Sequence, residues 1–484
     1  MTLLQDRRDA GPAHGRLIET RPLRRPDLES PRTMTRRGWW LVVLNVLIPG
    51  SAQVLAGNRR LGRFGLGATL TLWIVVVVTA LLALFWRQGL LGIVVGSGWI
   101  SAVVLTAVQV LCIAYLVLWI VLTLDTIRLA RLVKVRPYGR IAIPVVALLV
   151  LSVLGGGAVS AANIVGASRG AITTLFAAGG PSLPPDDGYY NILLLGADSG
   201  VGRDSMRFDS ISVVSVNAET GAVTITGIPR DMPNVPFADG PLKDVYPNGF
   251  ESHDDEECGW GDGINQLTNA VEVCHTGASY YPDAEKRGST PSIEATKDAA
   301  EGVMGIKIPY YVFIDMNSFA DLVDALGGVD MNVLERLPEG GGPAYDGQPA
   351  EEWAIGWIEA GQQHMNGDTA QWYARSRYTT SDFDRMRRQR ELQEAILKQF
   401  TPQNVLTHFT ELAKTGTDLV KTDLPQDKLP EFFDLMLKAK QQPVKTIELT
   451  PANGVSEREP DWAQIHQLIK DALHPASPAP TTGS

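Results

Sequence analysis

Asp198 closes the apolar run Leu193-Leu194-Leu195-Gly196, and Asp209 opens a second such run with Arg207 just before it. Two carboxylates at the ends of neighbouring strands can share a hard divalent cation, which keeps open positions for water or phosphate oxygens. Ile228-Pro229-Arg230-Asp231 closes a third run. Residues 373 to 390, YARSRYTTSDFDRMRRQR, add Arg375, Arg377, Arg385, Arg387, Arg388 and Arg390 within an otherwise acidic region. Arginines packed this densely need an anion, and the planar guanidinium fork suits phosphate. Arg375 and Arg377 project to one side of an extended segment, whereas Arg385, Arg388 and Gln389 share a helix face. Arg387 and Arg390 turn elsewhere and read as solvated charges. Taken singly, these signals have plain structural readings: a strand-end Asp is commonly a turn residue, and Arg230 beside Asp231 is commonly a surface pair.

Composition removes several alternatives. With 43 Lys+Arg against 53 Asp+Glu the formal net charge is -10, which argues against a nucleic-acid binder. The few aromatic residues among the arginines, Tyr373, Tyr378 and Phe383, lack the alternation that stacking on single strands requires. The seven His form no HExxH pattern, Gly200-Val201-Gly202 is too short for a phosphate loop, and the GxSxG-like reading that the chain contains lies nowhere near a convincing elbow. Zinc peptidase and serine hydrolase chemistry are therefore unsupported.

The elements that must carry these residues alternate in type. Strands are predicted at Tyr190 to Gly196, Ser210 to Asn217 and Ala222 to Gly227, the last two forming a hairpin across Glu219-Thr220-Gly221. Residues 240 to 290 read as a long surface excursion. A helix from Ser292 to Met304, a strand from Pro309 to Ile314, a helix over 319–326 ended by Gly327-Gly328, and a strand from Val329 to Val333 follow. Asp368 would cap a short helix running to Arg375, and Asp382 or Asp384 opens a long helix to about Phe400. Residues 402–414 and 460–473 read as helical, with a strand over Thr446 to Leu449 between them. This order predicts an α/β unit with a mixed central sheet flanked by helices.

The chain is not one uniform globule. Residues 1–37 form a basic tail with nine Arg, and 38–162 a membrane region. The runs 64–86, 90–124 and 141–162 are long and uncharged enough to span, whereas 38–57, broken at Pro49-Gly50, suits a re-entrant or interfacial segment. Basic residues in 125–140 place that loop inside. Three spans then export 163–188 as a linker, 189–475 as a catalytic domain and 476–484 as a disordered tail. Cys112 reads as inert packing within a span. In the exported part, Cys258 and Cys274 read as a disulfide, with a Cys-His metal site involving His253 and His275 as the competing reading.

The stretches NILLLGADSG, RFDSISVVSVN, ITGIPRDM, YYVFIDMNSFADLVDALGGVDMNV and WYARSRYTTSDFDRMRRQ strongly resemble the LytR-CpsA-Psr (LCP) family of bacterial cell-envelope enzymes, over about residues 188 to 472. The paired Cys and the last blocks look like its actinobacterial branch. The resemblance implies transfer of a glycopolymer from a polyprenyl diphosphate carrier to a peptidoglycan sugar, with Mg2+ and a basic pocket. By matching motifs it implies Asp198 and Asp209 as metal ligands, and Arg207, Arg230, Arg375 and Arg377 as phosphate contacts. Asp382, Arg385 and Gln389 match further site positions, Arg388 fits the basic pattern, and Asp231 or Asp382 is the candidate general base. Arabinogalactan is the implied polymer, an apolar cavity within the domain the implied receptacle for the prenyl tail, and membrane lipid an implied contact. The membrane part is larger than the single anchor usual in the family. A polyprenyl-diphosphate phosphatase and a noncatalytic envelope binding or regulatory protein are the competing functions.

Overall fold

The computed structural model describes residues 23–475 except 25, 87–88, 90–92, 94–98, 176–179, 198–206, 275–278, 377 and 400–419. The chain divides into two compact units, the first ending at Asn163 and the second starting at Ile164.

In the first unit, Ser30 caps α1 (Pro31–Leu47), its Oγ accepting from Thr33 N, with Pro31 in the first turn where no N–H is missed. The expected break follows: Gly50 lies at φ 97°, and a Cβ there would meet Leu66 N at 2.3 Å, so only glycine passes this close to the neighbouring backbone. The short α2 (Ser51–Ala56) leads to α3 (Arg59–Phe85), α4 (Trp99–Leu129) and α5 (Pro137–Leu175). Three segments, Arg59–Phe85, Val103–Lys134 and Pro137–Gly157, are long and apolar enough to cross a membrane. Polar side chains inside this unit pair with one another: Asn45 Nδ2 donates to Thr123 Oγ1 at 2.9 Å and Gln53 Nε2 to Thr126 Oγ1 at 2.9 Å. Cys112 is free and uncovered by protein rather than packed within it.

The second unit is built on a six-stranded mixed sheet of order β10-β3-β2-β1-β4-β9. Its strands are β1 (Tyr189–Ala197), β2 (Phe208–Asn217), β3 (Val223–Ile228), β4 (Tyr310–Asp315), β9 (Val420–Thr422) and β10 (Lys445–Glu448). β1 runs antiparallel to β2 and parallel to β4, and β2 and β3 form the predicted hairpin, whose turn is held by Asn217 Oδ1 accepting from Glu219 N and Thr220 N. The strand period of two sorts β2 between two faces. Ile211 and Val213 enter the main core with α6 (Pro291–Met304) and α11 (Trp462–Leu473), while Val214 and Val216 pack on the other face. That face is covered by α9 (Asp382–Gln399) and α10 (Leu429–Ala439), through Leu397 and Ala439.

Several sequence expectations change. Residues 240–290 are not a surface excursion: Leu242, Phe250, Ile264, Leu267, Val271 and Tyr281 are all buried in the main core. Their apolar side chains are spaced irregularly along Gly- and Asp-rich chain, so no periodicity betrayed them. Strand β5 (Val329–Val333) does not return to the large sheet after α7 (Met316–Ala325). It pairs with β8 (Gly361–Met365), and β6 (Leu337–Glu339) pairs with β7 (Gly356–Ile358). These ribbons share a second core with α8 (Gly367–Arg375) and α9, built on Val329, Val333, Met365, Tyr373 and Leu392. Asn366, not Asp368, caps α8, its Oδ1 accepting from Thr369 N at 2.9 Å. The predicted helix at 402–414 lies outside the described residues. Cys258 and Cys274 are joined by a disulfide.

Candidate functional site

The site begins with an irregularity in a strand pair. Gly196 is opposite Ser210 but Ala197 is opposite Phe208, so Asp209 is the extra residue of a β-bulge. Bulges re-aim a side chain that regular pleating would commit to one face. Arg207 lies exposed at the open end of β2, next to buried Phe208. Asp198, one residue past β1, lies outside the described residues, as does Arg377.

Arg230 stands two residues beyond β3 and meets three carboxylates. Its Nη1 is 2.6 Å from Asp209 Oδ1, Nε is 3.2 Å from Asp231 Oδ2, and Nη2 is 3.8 Å from Asp382 Oδ1. Arg385, one turn into α9, closes the group: Nη2 donates to Asp382 Oδ2 at 3.0 Å and Nη1 to the Asp209 carbonyl at 3.4 Å. Burial alone would lower the Arg230 pKa, but Asp231 and Asp209 outweigh it and hold the guanidinium above its ordinary value. For Arg385, only 6% exposed at its side chain, burial dominates and the pKa falls, with Arg230 adding to the fall. Two enclosed atoms here lack any hydrogen-bond partner, the acceptor Asp382 Oδ1 and the donor Arg385 Nε. Buried polar groups are normally satisfied, so an orphaned donor and acceptor side by side mark a place for a polar ligand. Three carboxylates against two guanidiniums also leave this cluster one negative charge in excess, which a small cation would neutralise. Among the described residues no three His, Cys, Asp or Glu side chains cluster tightly enough to hold a metal by themselves.

Other predicted residues hold the frame. Arg388 is 3% exposed and donates to the Tyr373 carbonyl at 3.1 Å, to Thr380 Oγ1 at 3.2 Å, and to the Ser376 carbonyl. It therefore pins the connection between α8 and α9. Gln389 is buried too, donating to the Ala374 carbonyl at 3.3 Å. Arg375 is half-buried at the end of α8, its guanidinium carbon 5.3 Å from the Trp372 ring centroid. Arg387 is half-buried, its side chain 41% exposed, and pairs with Asp384 at 3.1 Å. Arg390 is not solvated: it is 2% exposed and faces Glu448.

Sequence reasoning also missed Asn265. Residues 263–265 fold back on the Pro-Arg-Asp segment, with Asn265 N donating to the Arg230 carbonyl at 3.0 Å and Ile264 N to the Met232 carbonyl at 3.1 Å. Asn265 Nδ2 reaches Asp231 Oδ1 at 3.3 Å. No short-range pattern announces a contact across 34 positions.

Comparison with known proteins bears on this arrangement. The chain is 24% identical over 383 residues to the cell wall biosynthesis protein LcpA of Corynebacterium glutamicum, covering 72% of this chain and 68% of the relative. It is 28% identical over 248 residues to the polyisoprenyl-teichoic acid--peptidoglycan teichoic acid transferase TagU of Bacillus anthracis, covering 51% of this chain and 63% of that protein. The crystal structure of B. subtilis TagV aligns with a TM-score of 0.38 at 21% identity, over 59% of this chain and 97% of that one. Residues 167–247 and 264–472 match the LytR_cpsA_psr family, spanning the sheet, Arg230 and the Arg385 helix, and the chain belongs to that family.

Proposed function

We propose that the second unit is a phosphotransferase that moves a glycopolymer from a polyprenyl diphosphate carrier to a peptidoglycan sugar hydroxyl. The observation that carries this reading is the meeting of Arg230 and Arg385 over Asp209 and Asp382, from segments more than 150 positions apart. Guanidinium groups fixed by carboxylates are preorganised donors for diphosphate oxygens, and preorganised charge is the main lever in phosphoryl transfer. By their match to the family motifs, Arg207, Arg375 and Arg377 are assigned to the same diphosphate. In the reaction, the acceptor hydroxyl oxygen bonds to the phosphorus next to the glycan. The bond from that phosphorus to the bridging oxygen breaks, and polyprenyl phosphate leaves. Asp231 has one oxygen hydrogen-bonded by Asn265 and the other by Arg230, whereas Asp382 Oδ1 accepts no hydrogen bond and has only the longer 3.8 Å approach of Arg230, so Asp382 is the better placed acceptor for the hydroxyl proton.

Asp209 and Asp198 are the residues that would hold Mg2+, an all-oxygen donor set suited to a hard ion, which when bound neutralises charge on the diphosphate. The three apolar helices would keep the enzyme beside its lipid-linked donor, with the second unit on the outer face and the prenyl tail in an apolar cavity of that unit. The actinobacterial wording of the last sequence blocks is what points to a wall polymer of the arabinogalactan kind.

The test incubates full chain in neutral detergent with radiolabelled lipid-linked glycan, Mg2+ and peptidoglycan. Covalent label on the wall supports transfer. Release of soluble glycan phosphate and polyprenyl phosphate without wall label identifies hydrolysis in place of transfer, and tight donor binding without turnover identifies a binding protein.

A further inference from the structure

A second anion site is built into the first unit, at the start of the helices rather than among the carboxylates of the catalytic cluster. Arg32 and Arg36, one turn apart on α1, and Arg136, which precedes α5, line a cleft of about 500 Å³ together with Trp39, Trp40 and Tyr138. Arg37, between them in sequence, is spent on structure: it is 6% exposed and donates to the Leu129 carbonyl at 2.7 Å. The three lining arginines are exposed instead, and among the described residues none has a carboxylate within ion-pair reach. Three cations facing one cleft repel one another unless an anion joins them.

The scaffold is tight. Thr35 Oγ1 accepts from Arg136 N at 3.1 Å and donates to the Pro31 carbonyl at 2.7 Å, which fixes the entry to α5 against α1. A Cβ on Gly38 would lie 2.7 Å from Ile143 Cδ1, and one on Gly139 would lie 2.6 Å from Val135 Cγ1. Gly38 thus admits the close approach of α5, and Gly139 that of the connection before it, above a core of Met34, Val42, Ala130, Val135, Ile143 and Ala147. The lining also has the chemistry of a membrane boundary. Pro137–Gly157 is long and apolar enough to cross, so the cleft sits at the end of a crossing segment, where Trp and Tyr rings settle between hydrocarbon and headgroups. The N-terminal end of α5 points the positive end of its dipole toward the same place.

We infer that this cleft holds the phosphate group of an anionic membrane lipid. Guanidinium forks grip the phosphate oxygens while the indole and phenol rings flank the glycerol and upper acyl region.

The test is native mass spectrometry of the purified full chain in neutral detergent, with phosphatidylglycerol, phosphatidylcholine and inorganic phosphate as probes. Phosphatidylglycerol is expected to be retained, phosphatidylcholine not, and inorganic phosphate is not expected to displace the lipid. Arg36→Gln with Arg136→Gln should weaken retention by about thirtyfold, the effect of two basic residues near a lipid surface. Arg36→Lys with Arg136→Lys should recover most of it, which separates loss of charge from loss of fold. Lys134→Gln, a basic neighbour outside the cleft, should behave as wild type. Equal retention in wild type and the Gln variant overturns the inference. Equal losses in the Lys134 variant, equal retention of phosphatidylcholine, or displacement by inorganic phosphate do so too.

Discussion

Arg390 and Glu448 face each other inside the second unit, Nε 3.5 Å from Oε1, with side chains only 3% and 17% exposed. Arg390 Nη2 also reaches Ser210 Oγ at 3.3 Å, one residue past the bulged Asp209. These contacts therefore tie α9, which carries Arg385, to β10 and to β2, which carries Asp209. Gly227 makes room for it, since a Cβ there would meet Glu448 Oε2 at 2.1 Å. Burial lowers the Arg390 pKa and raises that of Glu448, so each charge depends on the other.

Arg390→Met or Glu448→Met alone should destabilise by about 3 kcal/mol, because each leaves an uncompensated buried charge. The double variant should lose clearly less than the sum. Thermal unfolding of the four proteins gives the cycle, and simple additivity would show that the two side chains do not act as a pair.

The difference between Arg390 and Arg387 shows what was legible in the sequence. Helical spacing separated the arginines by face, and Arg387 is the more exposed of the two, but spacing carries no information on which face the sheet covers. Arg390 meets Glu448 through tertiary packing across 58 positions, so only the fold could reveal it. The strands of the hairpin, by contrast, were readable because alternation and an Asn-x-x-Thr-Gly turn are local signals. β5 misled for a related reason. A strand after a helix looks like a crossover, and only pairing with β8 shows that it left the large sheet. Asp209 and Arg230 could be named from sequence, yet the bulge and the three-carboxylate setting that give them a common geometry could not.

Arg230→Lys keeps the charge but gives up the fork that reaches Asp209, Asp231 and Asp382 together. Turnover in the wall-labelling assay should drop about 100-fold, the scale of removing one preorganised electrostatic contact. The thermal transition should move little, since Asp231 is 67% exposed and keeps its solvent. A variant that unfolds early while retaining its specific activity would assign Arg230 to the scaffold.

Arg388 and Arg387 are sequence neighbours with opposite expected responses. Arg388→Lys loses a fork bonded to two carbonyls and Thr380, and should cost about 2 kcal/mol. Arg387→Ala removes an exposed pair with Asp384 and should change stability by less than about 0.5 kcal/mol. Because Arg388 acts through the connection that precedes α9, its loss should raise KM for the lipid-linked donor more than it lowers kcat. Equal effects of the two substitutions would contradict the placement of Arg388.

The Cys258–Cys274 bridge spans 16 positions and encloses residues 263–265, the segment that clamps the backbone at Arg230 and Met232. Cys258→Ser with Cys274→Ser should lower stability by about 3 kcal/mol, the usual scale for a loop of this length. It should also lower turnover, since Asn265 would hold Asp231 less firmly. An unchanged urea midpoint together with full activity would show that core burial of Ile264 and Leu267 alone suffices to place the clamp.

Asp298 on α6 supplies the pH dependence. Its Oδ2 accepts from Tyr281 Oη at 2.7 Å, yet burial dominates and, with Glu301 adding, pushes its pKa up to about 6 from 3.8. Because the folded value lies above the unfolded one, the native state takes up the proton first. The Asp298 contribution is therefore most favourable below about pH 4, declines as pH rises toward 6, and stays unfavourable above that. Asp298→Asn keeps an acceptor for Tyr281 and removes the buried charge. It should stabilise the protein at pH 7.5 by up to about 3 kcal/mol, with the gain shrinking toward zero near pH 4. Thermal unfolding of both proteins across that range gives the difference directly, free of the other carboxylates they share. A gain independent of pH would mean that the carboxylate is not titrating there, and a loss at pH 7.5 would mean that its charge supports the fold.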